Sequence, residues 1–264
     1  MSEHRPRKRY GQHFLHDANV LHRIIAAIRP QPGDRFVEIG PGHGALTQPL
    51  LASGAQVDAI EIDRDLAAAL PSRVPSERLQ VHLSDALKFD FGQLAGTRLR
   101  LVGNLPYNIS TPLLFHALAS SALFRDIHVM LQKEVVDRMA AVPGSRDYGR
   151  LSVALAARCD VEPLFTIRPG SFTPRPQVDS ALVRLKPAPE RAALIDSQPH
   201  FDRLLARAFS MRRKQLANSL KGICSPTRLK ALGIDPQRRP ETLSADEFIQ
   251  LANDYARQLP EDAQ

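Results

Sequence analysis

The sequence predicts an α/β fold: a mostly parallel sheet wound with helices, followed by a small helical domain. Three observations carry this expectation. Short apolar runs alternate with helix-like stretches across residues 35–132, as right-handed strand–helix–strand units require. Pro187-Ala188-Pro189-Glu190 then interrupts the alternation. Beyond it, apolar residues recur only at helical spacing. The 264 residues are 43% hydrophobic and 24% charged, which excludes disordered, collagen-like and coiled-coil classes. The length suits one large domain, 1–188, and a small one, 189–264.

The elements follow in order. Arg35 to Ile39 reads as a buried strand and Gly40-Pro41-Gly42-His43-Gly44 as a tight turn. Ala45 to Ser53 reads as a helix stopped by Gly54. Gln56 to Asp63 is a second strand, with a helix from Asp65. Leu79 to Leu83 is a third, ending near Ser84-Asp85. Leu99 to Gly103 is a fourth and runs into Asn104-Leu105-Pro106-Tyr107; Ile127 to Leu131 is a fifth. After a helix around Gly149–Arg158 come two β-like segments, Val161–Ile167 and Ser180–Lys186, suited to an antiparallel closing pair. Past the boundary, Phe201, Leu204, Leu205, Ala208 and Phe209 form one apolar helical stripe. Short helices are expected at Thr227–Leu232 and Ser244–Arg257.

Charge is unevenly spread. The net charge is +7, and 28 of the 35 cations are arginine. Residues 1–10 carry +3 and residues 201–230 carry +7, leaving −3 on the rest. A solvated helix face would explain one basic cluster. Two clusters with arginine dominance point to phosphate contacts, which guanidinium makes bidentately. The candidates are Arg7, Lys8, Arg9, Arg207, Arg212, Arg213 and Lys214. Cys159 and Cys224 lie far apart, so neither a disulfide framework nor a cysteine zinc site is expected, and a reducing cytoplasm fits. No secretory signal, membrane span or metal-spaced histidine pair is read.

The glycine turn follows a strand and opens a helix, where the backbone can approach a ligand and free N–H groups point at it. Glu61, 21 residues after Gly40, can accept both hydrogens of a ribose diol. The pattern indicates an adenosine-containing cofactor, and a nicotinamide cofactor remains an alternative. Asp85, on the same rim, can accept from an adenine amino group or cap a helix. Asn104 to Tyr107 is the most informative stretch, although a β-turn entering a helix at Ser110 fits the same residues. Its chemistry suits an aromatic amine, whose lone pair is delocalised into the ring. The Asn104 oxygen and the Leu105 carbonyl can draw such an amine toward tetrahedral geometry. Pro106 lacks an N–H and stiffens the backbone, and Tyr107 offers a ring face. Phe172, before Thr173-Pro174, can close the opposite face or serve as a buried anchor.

These residues resemble the ribosomal RNA adenine N6,N6-dimethyltransferase family. The likeness extends through Gly11-Gln12-His13-Phe14-Leu15, Val37 to Gly42, Glu61-Ile62-Asp63, Ser84-Asp85-Ala86, Asn104 to Ser110, Leu131 to Val135, Phe172-Thr173-Pro174 through Val178-Asp179-Ser180, and Arg212-Arg213-Lys214 with Asn218-Ser219-Leu220. The match is strongest to the bacterial small-subunit branch, whose members dimethylate two adjacent adenosines near the 3′ end of 16S rRNA. The resemblance implies a Rossmann-like seven-stranded methyltransferase sheet with a small α-helical C-terminal domain that engages rRNA. It implies S-adenosylmethionine as methyl donor, held at His13, Leu15, Gly40, Glu61, Asp85 and Asn104. The family usually has asparagine where this chain has His13. Catalytic roles are implied for Asn104, Leu105, Pro106, Tyr107 and Phe172. A monomer acting on 16S rRNA within the small ribosomal subunit, without membrane or metal, is the expectation.

Overall fold

The computed structural model describes residues 12–94, 98–211 and 214–258. The expected RNA contacts Arg7, Lys8, Arg9, Arg212 and Arg213 lie outside these residues. The chain forms two compact units, 12–136 with 162–187 and 137–161 with 188–258.

The first unit holds the sheet. Its strands are β1 (Phe14–Leu15), β2 (Arg35–Ile39), β3 (Gln56–Glu61), β4 (Leu79–Leu83), β5 (Leu99–Asn104), β6 (Phe124–Gln132), β7 (Cys159–Ile167), β8 (Phe172–Thr173) and β9 (Ser180–Pro187). Seven of them form one sheet in the order β4-β3-β2-β5-β6-β9-β7. The pairs from β4 to β6 are parallel, and β9 runs antiparallel to β6. The seven-stranded α/β expectation holds. β2, β3 and β5 are buried almost throughout because both faces of a parallel sheet are covered. Helices α1 (Ala18–Ile28), α2 (Thr47–Ala52), α3 (Arg64–Arg73) and α4 (Ser110–Ala119) alternate with the strands, and α5 (Lys133–Met139) follows β6.

A short arm precedes α1. β1 pairs with β8, Leu15 opposite Phe172. Asp17 caps α1 through the N–H groups of Asn19 and Val20, and its other oxygen accepts from Ser171 Oγ at 3.1 Å. The side chains of Leu15 and Phe172 both enter the core, with Val20, Ile24 and Phe36.

The second unit is helical: α6 (Arg150–Ala156), α7 (Pro189–Ala192), α8 (Gln198–Ser210), α9 (Leu216–Ser219), α10 (Pro226–Ala231) and α11 (Ala245–Gln258). Phe201, Leu204, Leu205 and Ala208 of α8 are buried with Phe248, Leu251 and Ala252 of α11. Residues 137–161 belong to this unit rather than to the domain 1–188 read from the sequence. The reason is packing: α6 lies on α8 and α11, and the buried Tyr148 hydroxyl donates to the Leu243 carbonyl at 2.7 Å. Within the basic segment, Arg207 is half-buried and Lys214 is exposed. Arg228 is committed to Asp254 through its Nε at 2.9 Å. Among the described residues no helix is long and apolar enough to cross a membrane.

Candidate active site

Strand register brings four strand ends onto one rim. Ile39 pairs with Ile60 and with Gly103, Glu61 with Leu83, and Asn104 with Met130. Main-chain bonds continue past these ends. The Gly40 N–H donates to Ile60 O (2.9 Å), Ser84 N–H to Glu61 O (3.0 Å) and Leu105 N–H to Met130 O (3.2 Å). The strand order reverses between β2 and β5, and such a reversal opens a crevice at the carboxyl ends. A cavity of about 260 Å³ lies there, lined by Gly40, Glu61, Asp85, Asn104 to Tyr107 and His13. Gly103 permits this closeness, since a Cβ there would lie 2.6 Å from the Ile39 carbonyl oxygen.

One end of the cavity suits an adenosine. Gly40 adopts φ +64°, and a Cβ there would meet nothing within 4 Å, so a ligand has room against the backbone. Glu61 is 4% exposed. Its oxygens accept from the N–H groups of Asp63 (2.9 Å) and Gly42 (3.3 Å), with lone pairs remaining for a diol. Burial raises its pKa, while the bonds from Asp63 and Gly42 pull it back. Beneath it, burial pushes Glu38 up to about 7, against the Thr47 hydroxyl bond and with added repulsion from Glu61. Asp85 accepts the Leu87 N–H at 3.0 Å and also lines the cavity, so it both shapes its turn and faces the ligand space. Ile62, 45% exposed, lines the cavity beside Glu61. In the sequence it was legible only as part of the Glu61-Ile62-Asp63 stretch, without a role.

The other end suits an amine. Asn104 Nδ2 lies 2.6 Å from the His13 carbonyl. A carbonyl only accepts, so the amide nitrogen must face it and Oδ1 points elsewhere. Among the described residues the Leu105 carbonyl takes no turn or loop hydrogen bond from the backbone. Both acceptors, Asn104 Oδ1 and the Leu105 carbonyl, belong to residues that line the cavity. The Tyr107 hydroxyl shares a 2.8 Å hydrogen bond with Ser180 Oγ, which fixes the ring. Burial raises the Tyr107 pKa, against the Ser180 bond, so the phenol stays neutral. Ser180 was legible only as part of a motif, without a role.

Two expected site residues are placed elsewhere. Phe172 is 3% exposed and Leu15 7%; both belong to the core cluster, and neither lines the cavity. Their ladder pairing turns both side chains inward, so Phe172 takes the anchor alternative and Leu15 holds the arm. His13 does line the cavity. Its ring Nδ1 is 2.6 Å from Pro174 O, and the ring stacks on Tyr107 with centroids 5.6 Å apart. Among the described residues no cluster of metal-ligating side chains forms.

Comparison with known proteins identifies relatives of this chain. The family model described as ribosomal RNA adenine dimethylase matches residues 3–257. The "Ribosomal RNA small subunit methyltransferase A" of Nitrosococcus oceani is 56% identical over 253 residues, spanning 94% of this chain and 95% of the relative. The same-named protein of Pseudomonas aeruginosa is 51% identical over 261 residues, 98% of this chain and 97% of the relative. Among solved structures, a dimethyladenosine transferase from Plasmodium falciparum superposes with a TM-score of 0.81 at 28% identity, covering 93% of this chain and 98% of that one. The 23S rRNA methyltransferase ErmE shares the fold, with a TM-score of 0.67 at 22% identity over 92% of this chain and 99% of that one. The nicotinamide alternative finds no relative among these. Matched by the family model over nearly its whole length and by half its residues to full-length relatives, the chain belongs to the ribosomal RNA adenine dimethylase family.

Proposed function

We propose that this chain transfers methyl groups from S-adenosylmethionine to N6 of two adjacent adenosines near the 3′ end of 16S rRNA, dimethylating each during small-subunit biogenesis. The observation that carries the reading is the pinned amide of Asn104, whose Nδ2 is spent on the His13 carbonyl while Oδ1 stays available.

When bound, S-adenosylmethionine supplies an electrophilic sulfonium methyl. The residues at the glycine end fit it: Gly40 leaves backbone space, Glu61 offers lone pairs to the ribose diol, and Asp85 with Ile62 flanks the base. The remaining residues handle the target. Asn104 Oδ1 and the Leu105 carbonyl accept the two amine hydrogens and pull the nitrogen toward tetrahedral geometry, which frees its lone pair. Pro106 keeps the carbonyl direction fixed. Tyr107 stacks a flipped-out base and holds it in register. Positioning supplies most of the acceleration. The protonated product amine is acidic enough to lose its proton to water, so no general base is required. A second methylation demands that the amine site admit one N-methyl group, and two separate acceptors, rather than a closed ring of donors, allow it.

The basic segment holds rRNA phosphates through Arg207 and Lys214, together with Arg212 and Arg213 and the arm residues Arg7, Lys8 and Arg9. The chain acts as a monomer in the cytoplasm, which suits its two free, buried thiols. Labelled-methyl transfer to unmethylated small subunits tests the reading. Incorporation into small subunits in excess over large subunits is expected; equal or absent incorporation would contradict it.

A further inference from the structure

Taking an adenine out of its stack is costly, and the sugar–phosphate backbone must be held turned while the amine reacts. A cation fixed beside the amine end of the cavity would hold it. The connection between β7 and β9 supplies one. Arg175 is exposed, and among the described residues it has neither a hydrogen bond nor an ion pair. Other arginines of this unit are committed to carboxylates: Arg35 to Asp58, Arg100 to Asp34 and Asp126, and Arg184 to Glu162. We infer that Arg175 is a positioning residue that grips a backbone phosphate flanking the flipped adenosine. The inference rests on the methyltransferase reading and adds a residue to it.

Three ties set the 174–179 loop beside the amine end. The Pro174 carbonyl accepts from His13 Nδ1 at 2.6 Å, and Arg175 begins one peptide bond beyond that carbonyl. At the far end, the Asp179 carbonyl accepts the Lys133 N–H at 2.9 Å. Ser180, the next residue, shares its 2.8 Å hydrogen bond with the Tyr107 hydroxyl. His13 and Tyr107 both line the cavity, so both ends of the loop are bonded to its lining. The sequence stiffens the loop where the arginine stands. Pro174 has a fixed φ. Pro176, itself buried, restricts the residue before it to extended backbone. The guanidinium is thus carried on a stalk with little backbone freedom, and little ordering entropy is lost when it binds. Its planar fork of donors fits two oxygens of one phosphate. Among the described residues the acid of the same loop, Asp179, forms no ion pair with it. A phosphate contact fixes register without reading a base, so one arginine serves either of two adjacent adenosines in turn. It is also separate from Arg207 and Lys214, which belong to the other unit.

The test is a double-mutant cycle between Arg175 and single phosphates, on the full chain and reconstituted small subunits. In the 16S rRNA a neutral methylphosphonate replaces, one at a time, each phosphate flanking the two target adenosines. Arg175→Gln removes the charge and Arg175→Lys keeps it. With unmodified rRNA, Arg175→Gln should weaken subunit binding roughly tenfold, the scale of one charge-assisted contact, and lower the salt slope by about 0.7–0.9. Arg175→Lys should restore the salt slope and part of the affinity. Donor affinity by calorimetry should stay within about twofold for both variants. At one flanking position the methylphosphonate should cost wild type roughly tenfold in affinity and cost Arg175→Gln almost nothing more. A merely structural role would not single out one phosphate. Equal methylphosphonate penalties in wild type and Arg175→Gln at every flanking position, or wild-type affinity and salt slope in Arg175→Gln, would overturn the assignment. If wild type transfers no methyl group to unmodified subunits, the functional reading itself falls and takes this inference with it.

Discussion

Replacing Asn104 by alanine removes both ends of one amide, and the two ends have different consequences. The Nδ2 end holds the arm at the His13 carbonyl across 2.6 Å in a part-buried setting. Its loss is worth about 1 kcal/mol of stability, the net value of an ordinary hydrogen bond. For a chain of this size that is a fall in Tm of about 2–4 °C. The Oδ1 end accepts from an amine whose N–H groups polarise as the new bond forms. Single hydrogen bonds that strengthen toward a transition state are worth about 10²–10³-fold in kcat. The catalytic effect should therefore exceed the stability effect severalfold in free energy. The assay is labelled-methyl transfer to unmethylated small subunits at saturating donor. Tm shows that the variant is folded, and donor affinity is measured by calorimetry. We expect kcat to fall by at least about 10² while Tm drops only a few degrees and donor affinity changes far less than kcat. A folded variant with kcat within tenfold of wild type would refute the role given to Oδ1.

Three further outcomes follow from the same geometry. Gly103→Ala puts a Cβ 2.6 Å from the Ile39 carbonyl, so β5 must move away from β2 and carry Asn104 with it; a stability loss of about 1–3 kcal/mol with a fall in kcat of about 10²-fold is expected, and a well-folded, fully active variant in denaturant titration and turnover would contradict the close approach. Glu38 titrates at about 7 in the fold against 4.5 outside it. The folded chain then holds a proton that the unfolded chain has lost between those values, and stability declines as pH rises through that window by an amount on the order of 3 kcal/mol. Glu38→Gln should flatten Tm against pH over this range and be the more stable form above it; parallel Tm curves would refute the shift. Charge reversal at Arg207 and Lys214 should weaken subunit binding and lower the salt dependence by about 0.7–0.9 per lost phosphate contact, leaving donor affinity unchanged; an unaltered salt slope would remove them from the RNA surface.

Much of the catalytic unit was legible because parallel strands announce themselves twice, as apolar runs and as ligand residues at their carboxyl ends. Glu61 and Asn104 end β3 and β5, Gly40 and Asp85 follow the ends of β2 and β4, and register gathers them on one rim. The errors have local causes. The second strand was read through Asp63, but Asp63 accepts the Asp65 N–H and so caps α3 instead of continuing β3. The fifth strand was read too short, because Arg125 and Asp126 look like loop residues. Both extend β6 since Asp126 is bonded by Arg100 at 2.9 Å and Arg125 reaches Asp34 at 3.3 Å. Phe172 was indeterminate in sequence: its direction depends on a two-residue ladder with Leu15, a pairing with no periodic signal. The second unit's claim on residues 137–161 was equally hidden, resting on non-local contacts such as Tyr148 with Leu243. The ring of His13 against Tyr107 was also invisible, because nothing local in sequence aligns two rings 94 positions apart.

The most direct test of the function is the position and degree of methylation in 16S rRNA after reaction of unmethylated small subunits with purified protein and labelled donor. Digestion and nucleoside analysis should find N6,N6-dimethyladenosine at two adjacent positions near the 3′ end and no label elsewhere. Label confined to monomethyladenosine, or mapping to another region or to 23S rRNA, would contradict it.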